Sequence, residues 1–226
     1  MKKQLPGAEI HYLTKPAYQN ILEHNPYIDR IHVLDKPLLR KLAELKAMGF
    51  DFIIDLHNNL RTRVIKSGMD VPAFSFEKLN IEKSLLVQFK VDMLPDLHIV
   101  DRYMQTLSAF AIKNDGEGLD YFLPPDIANT FNIGQLIPYD DFIVFAIGAQ
   151  HATKRLPAGK IIAICSNINK PVVLLGGKED GLNGNEIATR SGQHVINLCG
   201  KLTLHQSAFV TKKATKVITH DTGLMH

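Results

Sequence analysis

Short runs rich in β-branched and aromatic residues alternate along this chain with stretches whose apolar positions recur at helical spacing. Strands that alternate with helices build βαβ units, and such units place their strands in parallel sheets. The pattern therefore predicts an α/β protein. In the first half the predicted strands are EIHYL (9–13), RIHVL (30–34) and DFIIDL (51–56), and the predicted helices span about 15–24, 37–48, 58–68 and 97–112.

A segment rich in turn formers interrupts this alternation. Residues 113–141 contain KNDGEG, LPPD and IPYDD, after which the pattern restarts with DFIVFAIG (141–148). We therefore predict a seam near residue 130, with one domain over 1–125 and a second over 139–226. In the second domain the predicted strands continue with PVVLLGG (171–177), VINLCG (195–200) and KVITH (216–220), and the predicted helices span about 157–167, 179–191 and 204–213.

Composition narrows the class of ligand. The net charge is +3 with Lys and Arg spread along the chain, which fits an anionic small ligand better than a nucleic-acid groove. The ten histidines show no HExxH or paired-Cys spacing, so no metal site is expected. Cys165 and Cys199 are expected to be reduced core thiols. The longest apolar run, FIVFAIGA (142–149), is too short to span a bilayer. We expect a soluble intracellular protein.

Ligands of open parallel sheets bind at the carboxyl ends of the strands, so the residues after each strand are the candidates. After 141–148 come Lys154 and Arg155, which are suited to neutralising a diphosphate or are simply solvated surface cations. After 171–177 comes Glu179, which can accept from ribose hydroxyls or begin a helix favourably. After 216–220 comes DTGLMH (221–226), where the first amides of a following helix would meet a phosphate. An ordinary capped turn remains the alternative there, and an aspartic protease is disfavoured because those enzymes are all-β.

The first domain offers a second set of polar residues at a strand end. Asp55, His57 and Arg61 follow the strand 51–56 and could handle an acceptor hydroxyl or an anionic acceptor. The alternative is that Asn58 or Asn59 caps a helix and the arginines are exposed. His98, Asp101 and Arg102, farther along the chain, are interpreted as capping and helix-surface residues.

Several stretches, taken in order, resemble glycosyltransferase family 9, the heptosyltransferases of lipopolysaccharide synthesis. LPGAEIHYLTKP is similar to the family's second strand and its approach, and NPYIDRIHVLD is similar to its NP-x-I-D stretch. GFDFIIDLHNNLRTR resembles its Y-D-x-x-I-D-L segment, with Asn58 and Asn59 where Gln-Gly-like residues often stand. HIVDRYM resembles a helix opening, and DTGLMH is the most specific motif of the set.

The resemblance implies a GT-B fold, in which two Rossmann-like, doubly wound domains face a cleft. It implies transfer of heptose from an ADP-sugar to a lipopolysaccharide core acceptor, with inversion and without a cofactor or obligatory metal. Lys154 and Asp221 then match catalytic positions, and the acceptor side would carry Asp55, His57 and Arg61. The family's Thr-rich loop before the lysine is replaced here by AQHAT (149–153). The donor-binding positions would be Lys154, Arg155, Glu179, Asp221, Thr222, Gly223 and His226.

The same resemblance leads us to expect that both domains are incomplete. The family's first strand and the Asp base that follows it would precede Met1, and further helices would follow His226, so we expect at most residual donor affinity and no turnover. Two alternatives remain: another GT-B sugar-nucleotide enzyme of the epimerase kind, and a non-catalytic fragment. The expected partners are a nucleotide-sugar and a lipid-linked saccharide, with no nucleic acid, in the cytoplasm and in peripheral contact with the inner membrane.

Overall fold

The computed structural model describes residues 1–149 and 151–220, and the chain divides into two compact units, Met1–Phe122 and Leu123–His226. Every strand pair described is parallel. The predicted α/β architecture with parallel strands is therefore confirmed. Within the described ranges, no helix has the length and hydrophobicity needed to cross a bilayer.

Unit 1 contains four strands in two separate pairs. The strands are β1 (His11–Thr14), β2 (Arg30–Val33), β3 (Ile53–Asp55) and β4 (Ala73–Ser75), and among the described residues β1 pairs with β2 and β3 with β4. The helices are α1 (Gln19–Leu22), α2 (Leu38–Lys46), α3 (Leu60–Met69), α4 (Asn80–Phe89) and α5 (Ile99–Met104). A small core packs α2 against α3 through Leu45, Ile65 and Met69.

Unit 2 contains one four-stranded parallel sheet. Its strands are β5 (Ile143–Ala146), β6 (Val172–Leu175), β7 (Val195–Asn197) and β8 (Lys216–Thr219), in the order β7-β6-β5-β8. Its helices are α6 (Ile127–Thr130), α7 (Ala158–Ser166), α8 (Gly181–Ser191) and α9 (Leu204–Lys213). All four residues of β5 and of β6 are buried, as expected for a parallel sheet covered on both faces.

The two faces of this sheet carry different cores because successive strand side chains point in opposite directions. Val144 and Val173 pack with Phe209 of α9 in one cluster, whereas Phe145 and Leu174 pack in the other. Because the second cluster also contains Ile161 of α7 and Ile187 of α8, helices lie on both faces. The loop after each strand therefore begins at the edge of a sheet whose two faces are both covered by helices.

The segment between the predicted domains contributes to the core of unit 2. Pro124 and its neighbours begin a short helical turn, in which Ile127 N donates to the Pro124 carbonyl over 3.1 Å. Ile127, Phe131 and Ile137 are buried in the cluster that contains Val144. Part of the segment 113–141 is therefore packed into the core of unit 2. The composition of the segment does not distinguish a linker from a helix start, because the same turn-forming residue types occur in both.

The single helix predicted over 97–112 is wrong. The α-helix α5 ends at Met104, and a 3₁₀ helix continues over Gln105–Phe110. Thr106 Oγ1 donates to the Tyr103 carbonyl over 2.7 Å, and such a bond competes with the regular backbone ladder. The sequence pattern also gave no signal for α4, in which no residue is buried.

Candidate functional site

The loops after β5 and β6 meet at one buried carboxylate. Asp180 is 3% exposed, and its Oδ2 accepts from Gly177 N over 2.9 Å. A Cβ atom on Gly148, after β5, would overlap Asp180 Oδ2, and one on Gly176, after β6, would also approach too closely. Two strand-end glycines therefore permit a close approach that any other residue would prevent.

Arg155 links the loop after β5 to the same carboxylate. Its Nε donates to the Ala149 carbonyl over 2.5 Å, and its Nη2 lies 3.8 Å from Asp180 Oδ1. The Arg155 side chain keeps 41% of its surface exposed. The guanidinium is thus held at the sheet edge with part of its donor surface open to solvent, an arrangement suited to an anionic ligand.

The end of β8 lies beside β5. The His220 ring is 6.0 Å from the Phe145 ring, and neither of its nitrogens has a hydrogen-bond partner among the described residues. Burial lowers the pKa of His220 below its ordinary value, and the charge of Asp180 offsets only part of that effect. His220 is therefore neutral near pH 7, and among the described residues its ring donor and acceptor have no partner, at the position before the DTG motif.

The predicted donor residues that are described lie at this sheet edge. Lys154 ends a 3₁₀ helix, Ala152–Lys154, after β5, and Glu179 lies in a 3₁₀ helix, Lys178–Asp180, after β6. Both side chains are exposed. The remaining predicted positions, Asp221, Thr222, Gly223 and His226, lie outside the described residues.

Sequence reasoning missed Asp180 and His220. Asp180 follows Glu179, so an acidic first turn explained both residues equally well. The glycines at the two strand ends, Gly148 and Gly176, could have distinguished Asp180 from Glu179. Glycines at the ends of neighbouring strands indicate that a side chain packs closely against both backbones. His220 was visible only as part of KVITH.

In unit 1, the Asp55 carboxylate is held by hydrogen bonds and an ion pair within the unit. The carboxylate is 4% exposed, Oδ1 accepts from His57 N over 3.0 Å and from Asn58 N over 2.8 Å, and Oδ2 lies 2.8 Å from Lys66 Nζ. Burial raises the pKa of Asp55, but the Lys66 ammonium and the two N–H donors outweigh it and hold the pKa below its usual range. Asp55 thereby fixes the turn in which Asn58 adopts a left-handed backbone, with φ +42°.

His57 and Arg61 are carried by this turn and by the helix that follows it. The side chain of Asn59 accepts from Thr62 N over 3.0 Å, and the Asn59 N–H donates back to Thr62 Oγ1, so α3 begins with a capping box. His57 and Arg61 are exposed and line an open cavity of about 710 Å³. Arg61 also lines a neighbouring cavity of about 530 Å³ together with Lys15 and Lys36. His98 caps α5, accepting from Val100 N over 3.3 Å as interpreted.

Comparison with known proteins yields a family match over most of the chain. The model of glycosyltransferase family 9 (heptosyltransferase) matches residues 39–226. Lipopolysaccharide heptosyltransferase 1 of Campylobacter coli is 23% identical over 257 residues, an alignment that covers all of this chain and 73% of that protein.

Solved structures share the fold. A glycosyl transferase family 9 protein from Veillonella parvula DSM 2008 matches with a TM-score of 0.78 and 23% identity, covering 100% of this chain and 70% of that one. The E. coli heptosyltransferase WaaC with ADP-2-deoxy-2-fluoro heptose matches with a TM-score of 0.70 and 16% identity, covering 99% of this chain and 76% of that one. At these identities the structures establish the architecture.

Proposed function

Since the chain belongs to glycosyltransferase family 9, the heptosyltransferases, we propose that it carries donor and acceptor contacts for the transfer of heptose from an ADP-sugar donor to a lipopolysaccharide core acceptor with inversion at the anomeric carbon. The observation that carries the proposal is the convergence of the loops after β5 and β6 on Asp180, with β8 ending beside β5. The E. coli relative with ADP-2-deoxy-2-fluoro heptose supports the choice of an ADP-linked donor.

The proposed donor site is built around a leaving group that gains negative charge. Breaking the anomeric C–O bond leaves ADP, and fixed cations stabilise the developing charge more than they stabilise the intact donor. Lys154 and Arg155 supply that charge, and Glu179 accepts from the ribose. Asp221, Thr222, Gly223 and His226 complete the proposed site. Asp180 is a positioning residue for Arg155 and the Gly177 backbone, because its buried oxygens face these groups instead of solvent.

On the acceptor side we assign contacts to His57 and Arg61. Both are exposed on a turn that the Asp55–Lys66 pair holds in place. Lys15 and Lys36 line one cavity with Arg61. Lys36 Nζ pairs with Glu44 Oε1 over 2.7 Å, so Lys15 and Arg61 carry the positive charge that suits an anionic saccharide. The lowered pKa of Asp55 makes its carboxylate a weak base, so we assign Asp55 to positioning the turn. A lipid-linked acceptor would bring the protein to the cytoplasmic face of the inner membrane.

A nucleotide titration tests the donor assignment. ADP and UDP are added to the ¹⁵N-labelled full chain, and we expect ADP to bind more tightly and to shift resonances around Lys154 and Glu179. We also propose that no metal takes part, so EDTA should leave the ADP affinity unchanged. Lys154→Met should weaken ADP binding about 10- to 100-fold, the loss expected for a charged hydrogen bond of about 1.5–3 kcal/mol.

The matched control is Lys212→Met, an exposed lysine in the last turn of α9, and it should leave ADP binding unchanged. Equal losses in the two variants would reduce the effect to net charge and contradict the donor site. Shifts confined to residues 1–110, or tighter binding of UDP, would likewise contradict it.

A further inference from the structure

Two neighbouring helices of unit 1, α2 and α3, expose large apolar side chains. Leu39 of α2 is 73% exposed, and Leu60 of α3 is 78% exposed. Val64, one turn after Leu60, is exposed as well. A single exposed leucine is ordinary on a protein surface, whereas several on adjoining helices form a patch.

The three side chains of this patch border the groove between α2 and α3. Leu60, Val64 and Gly68 follow one another at helical spacing, so they share one face of α3. Gly68 packs against Leu42 so closely that a Cβ atom there would overlap the Leu42 side chain. Leu39 lies one turn before Leu42 on α2. The exposed apolar residues of both helices therefore lie on one continuous surface.

The same two helices carry a surplus of positive charge. The sequences of α2 (LLRKLAELK) and α3 (LRTRVIKSGM) contain six basic residues and one carboxylate, Glu44. Lys41 pairs with Glu44, and Lys66 pairs with Asp55. The other four basic residues are exposed, and among the described residues their side chains form no ion pair or hydrogen bond: Arg40, Lys46, Arg61 and Arg63.

Each exposed apolar residue has one of these cations beside it in the sequence. Leu39 precedes Arg40, Leu60 precedes Arg61, and Val64 follows Arg63. We call the surface formed by the three apolar side chains and the four cations the basic–apolar face.

This composition favours a bilayer over a protein partner. Protein interfaces gain most of their affinity from side chains that fill pockets, aromatic ones above all, and lysine is depleted there. On the basic–apolar face the apolar side chains are aliphatic and protrude among cations. Such side chains enter the acyl boundary of a membrane while Lys and Arg reach the headgroups. Charge complementarity selects headgroups that are anionic.

Helix α4 provides a contrast within the same unit. Ile81 and Val87 are exposed to an extent similar to that of Leu39 and Leu60. The α4 sequence NIEKSLLVQF, however, contains one basic residue and one carboxylate. Apolar exposure without surplus positive charge gives no preference for an anionic surface. α4 is therefore the matched control for the basic–apolar face.

We propose that the basic–apolar face binds the surface of an anionic lipid bilayer, with Leu39, Leu60 and Val64 inserted among the lipids. The face adjoins the cavity of about 530 Å³, because Arg61 belongs to both. Docking would hold that cavity at the membrane surface, where a lipid-linked saccharide is anchored. This last consequence rests on the proposed acceptor assignment, whereas the binding of lipid does not.

Vesicle binding by the full chain tests the proposal without donor or acceptor. We expect at least tenfold tighter binding to vesicles of equal parts phosphatidylcholine and phosphatidylglycerol than to phosphatidylcholine alone, because several cations face the surface. Raising the salt from about 0.1 M to about 1 M should remove most of that preference, since the Debye length falls to about 3 Å.

Paired substitutions locate the bound surface. Arg40→Gln with Arg63→Gln should weaken binding to the anionic vesicles about 25-fold, since each cation near such a surface contributes a factor of about five. The control, Lys83→Gln with Lys90→Gln, removes the same charge from exposed lysines in and directly after α4 and should weaken binding at most about twofold. ADP binding should be unchanged in both variants, which separates loss of docking from failure of the donor site.

Insertion is measured with an environment-sensitive dye attached to an introduced thiol. Leu60→Cys places the dye on the basic–apolar face and Ile81→Cys places it on α4, while Cys165 and Cys199 are buried. We expect anionic vesicles to shift the emission of the dye to the blue in Leu60→Cys and not in Ile81→Cys. Equal binding to both kinds of vesicle, equal losses in the two paired variants, or equal shifts at the two dye sites would overturn the proposal. Self-association through the Leu60 site without vesicle binding would assign the face to a second copy and would also overturn it.

Discussion

Unit 2 encloses its central strand, whereas the described strands of unit 1 form two separate pairs. β5 is fully buried between two partners, while β1 and β3 each have one partner among the described residues and are only partly buried. Ten and nine buried residues form the two core clusters of unit 2, against three in the cluster of unit 1. The same alternation of strands and helices thus produces a large two-sided core in unit 2 and a smaller core in unit 1.

This difference implies that unit 1 opens more easily than unit 2, because local stability follows buried apolar contact. The two proposed sets of contacts also lie in different structural surroundings. The proposed donor contacts lie on a sheet covered on both faces. The proposed acceptor contacts lie on a turn held by hydrogen bonds from His57 N and Asn58 N to Asp55 and by the Asp55–Lys66 ion pair. Three comparisons between matched residues test this difference.

The largest effect is expected from truncating one leucine in each unit. Leu174 is 0% exposed in the cluster of β6, whereas Leu13 is only partly buried and packs against the small core of Leu45, Ile65 and Met69. Leu174→Ala should cost unit 2 about 3–4 kcal/mol, and Leu13→Ala should cost unit 1 about 1 kcal/mol, since little burial is lost where the site is already open.

The thiols provide the measurement for unit 2. Burial, reinforced by the charge of Asp180, raises the pKa of Cys199 to about 12, so a thiol reagent reacts only when unit 2 opens. Leu174→Ala should accelerate labelling roughly a hundredfold or more, and Leu13→Ala should leave it unchanged while accelerating amide exchange in unit 1. Equal costs for the two leucines would show that the units do not differ in packing.

The strands of unit 2 and the helix at 204–213 were predictable because local signals and tertiary packing agree there. The buried run IVFA lies where its pattern indicates, and Thr203 and Gln206 form a capping box at the start of α9. α4 was not predictable, since none of its residues is buried. Phe131 packs against residues far along the chain, so no local sequence pattern predicts its burial.

The sequence predicted which loops form the candidate site, but not which side chains contact one another there. Lys154, Arg155 and Glu179 were identified from their position after strands, and their assignment to the donor stays a prediction. Asp180 could not be distinguished from Glu179, because the neighbours that bury it, Gly148 and Gly176, are brought together by strand pairing. Strand order is likewise a property of the assembled sheet.

A second comparison concerns the two buried carboxylates. Asp55 lies 2.8 Å from Lys66 Nζ, whereas Asp180 lies 3.8 Å from the half-exposed Arg155. Asp55→Asn should destabilise unit 1 by about 2 kcal/mol near pH 7. Asp180→Asn should cost unit 2 less than about 1 kcal/mol through its ion pair, because distance and solvent weaken that contact and the amide oxygen still accepts from Gly177 N.

The pH dependence of the Asp55 effect has a defined sign. The pKa of Asp55 is lowered in the folded protein, so its stabilisation is present above the unfolded pKa of about 3.9 and is lost as pH falls through the folded value. The difference between wild type and Asp55→Asn in unit 1 amide exchange should therefore shrink below about pH 4. A difference that is constant from pH 3 to 7 would mean that the charge contributes nothing.

The smallest effect concerns two helix caps that are chemically equivalent. Asn59 caps α3 in unit 1 and Thr203 caps α9 in unit 2, each with a reciprocal hydrogen bond from the third residue of the helix. Asn59→Ala and Thr203→Ala should each cost about 1 kcal/mol, because the same orphan N–H loses its acceptor. Since each cap is local, each loss should register only in its own unit, by amide exchange for α3 and by thiol labelling for α9. If Thr203→Ala also destabilised unit 1, the two units would open together, and the contrast in their packing would no longer determine their separate stabilities.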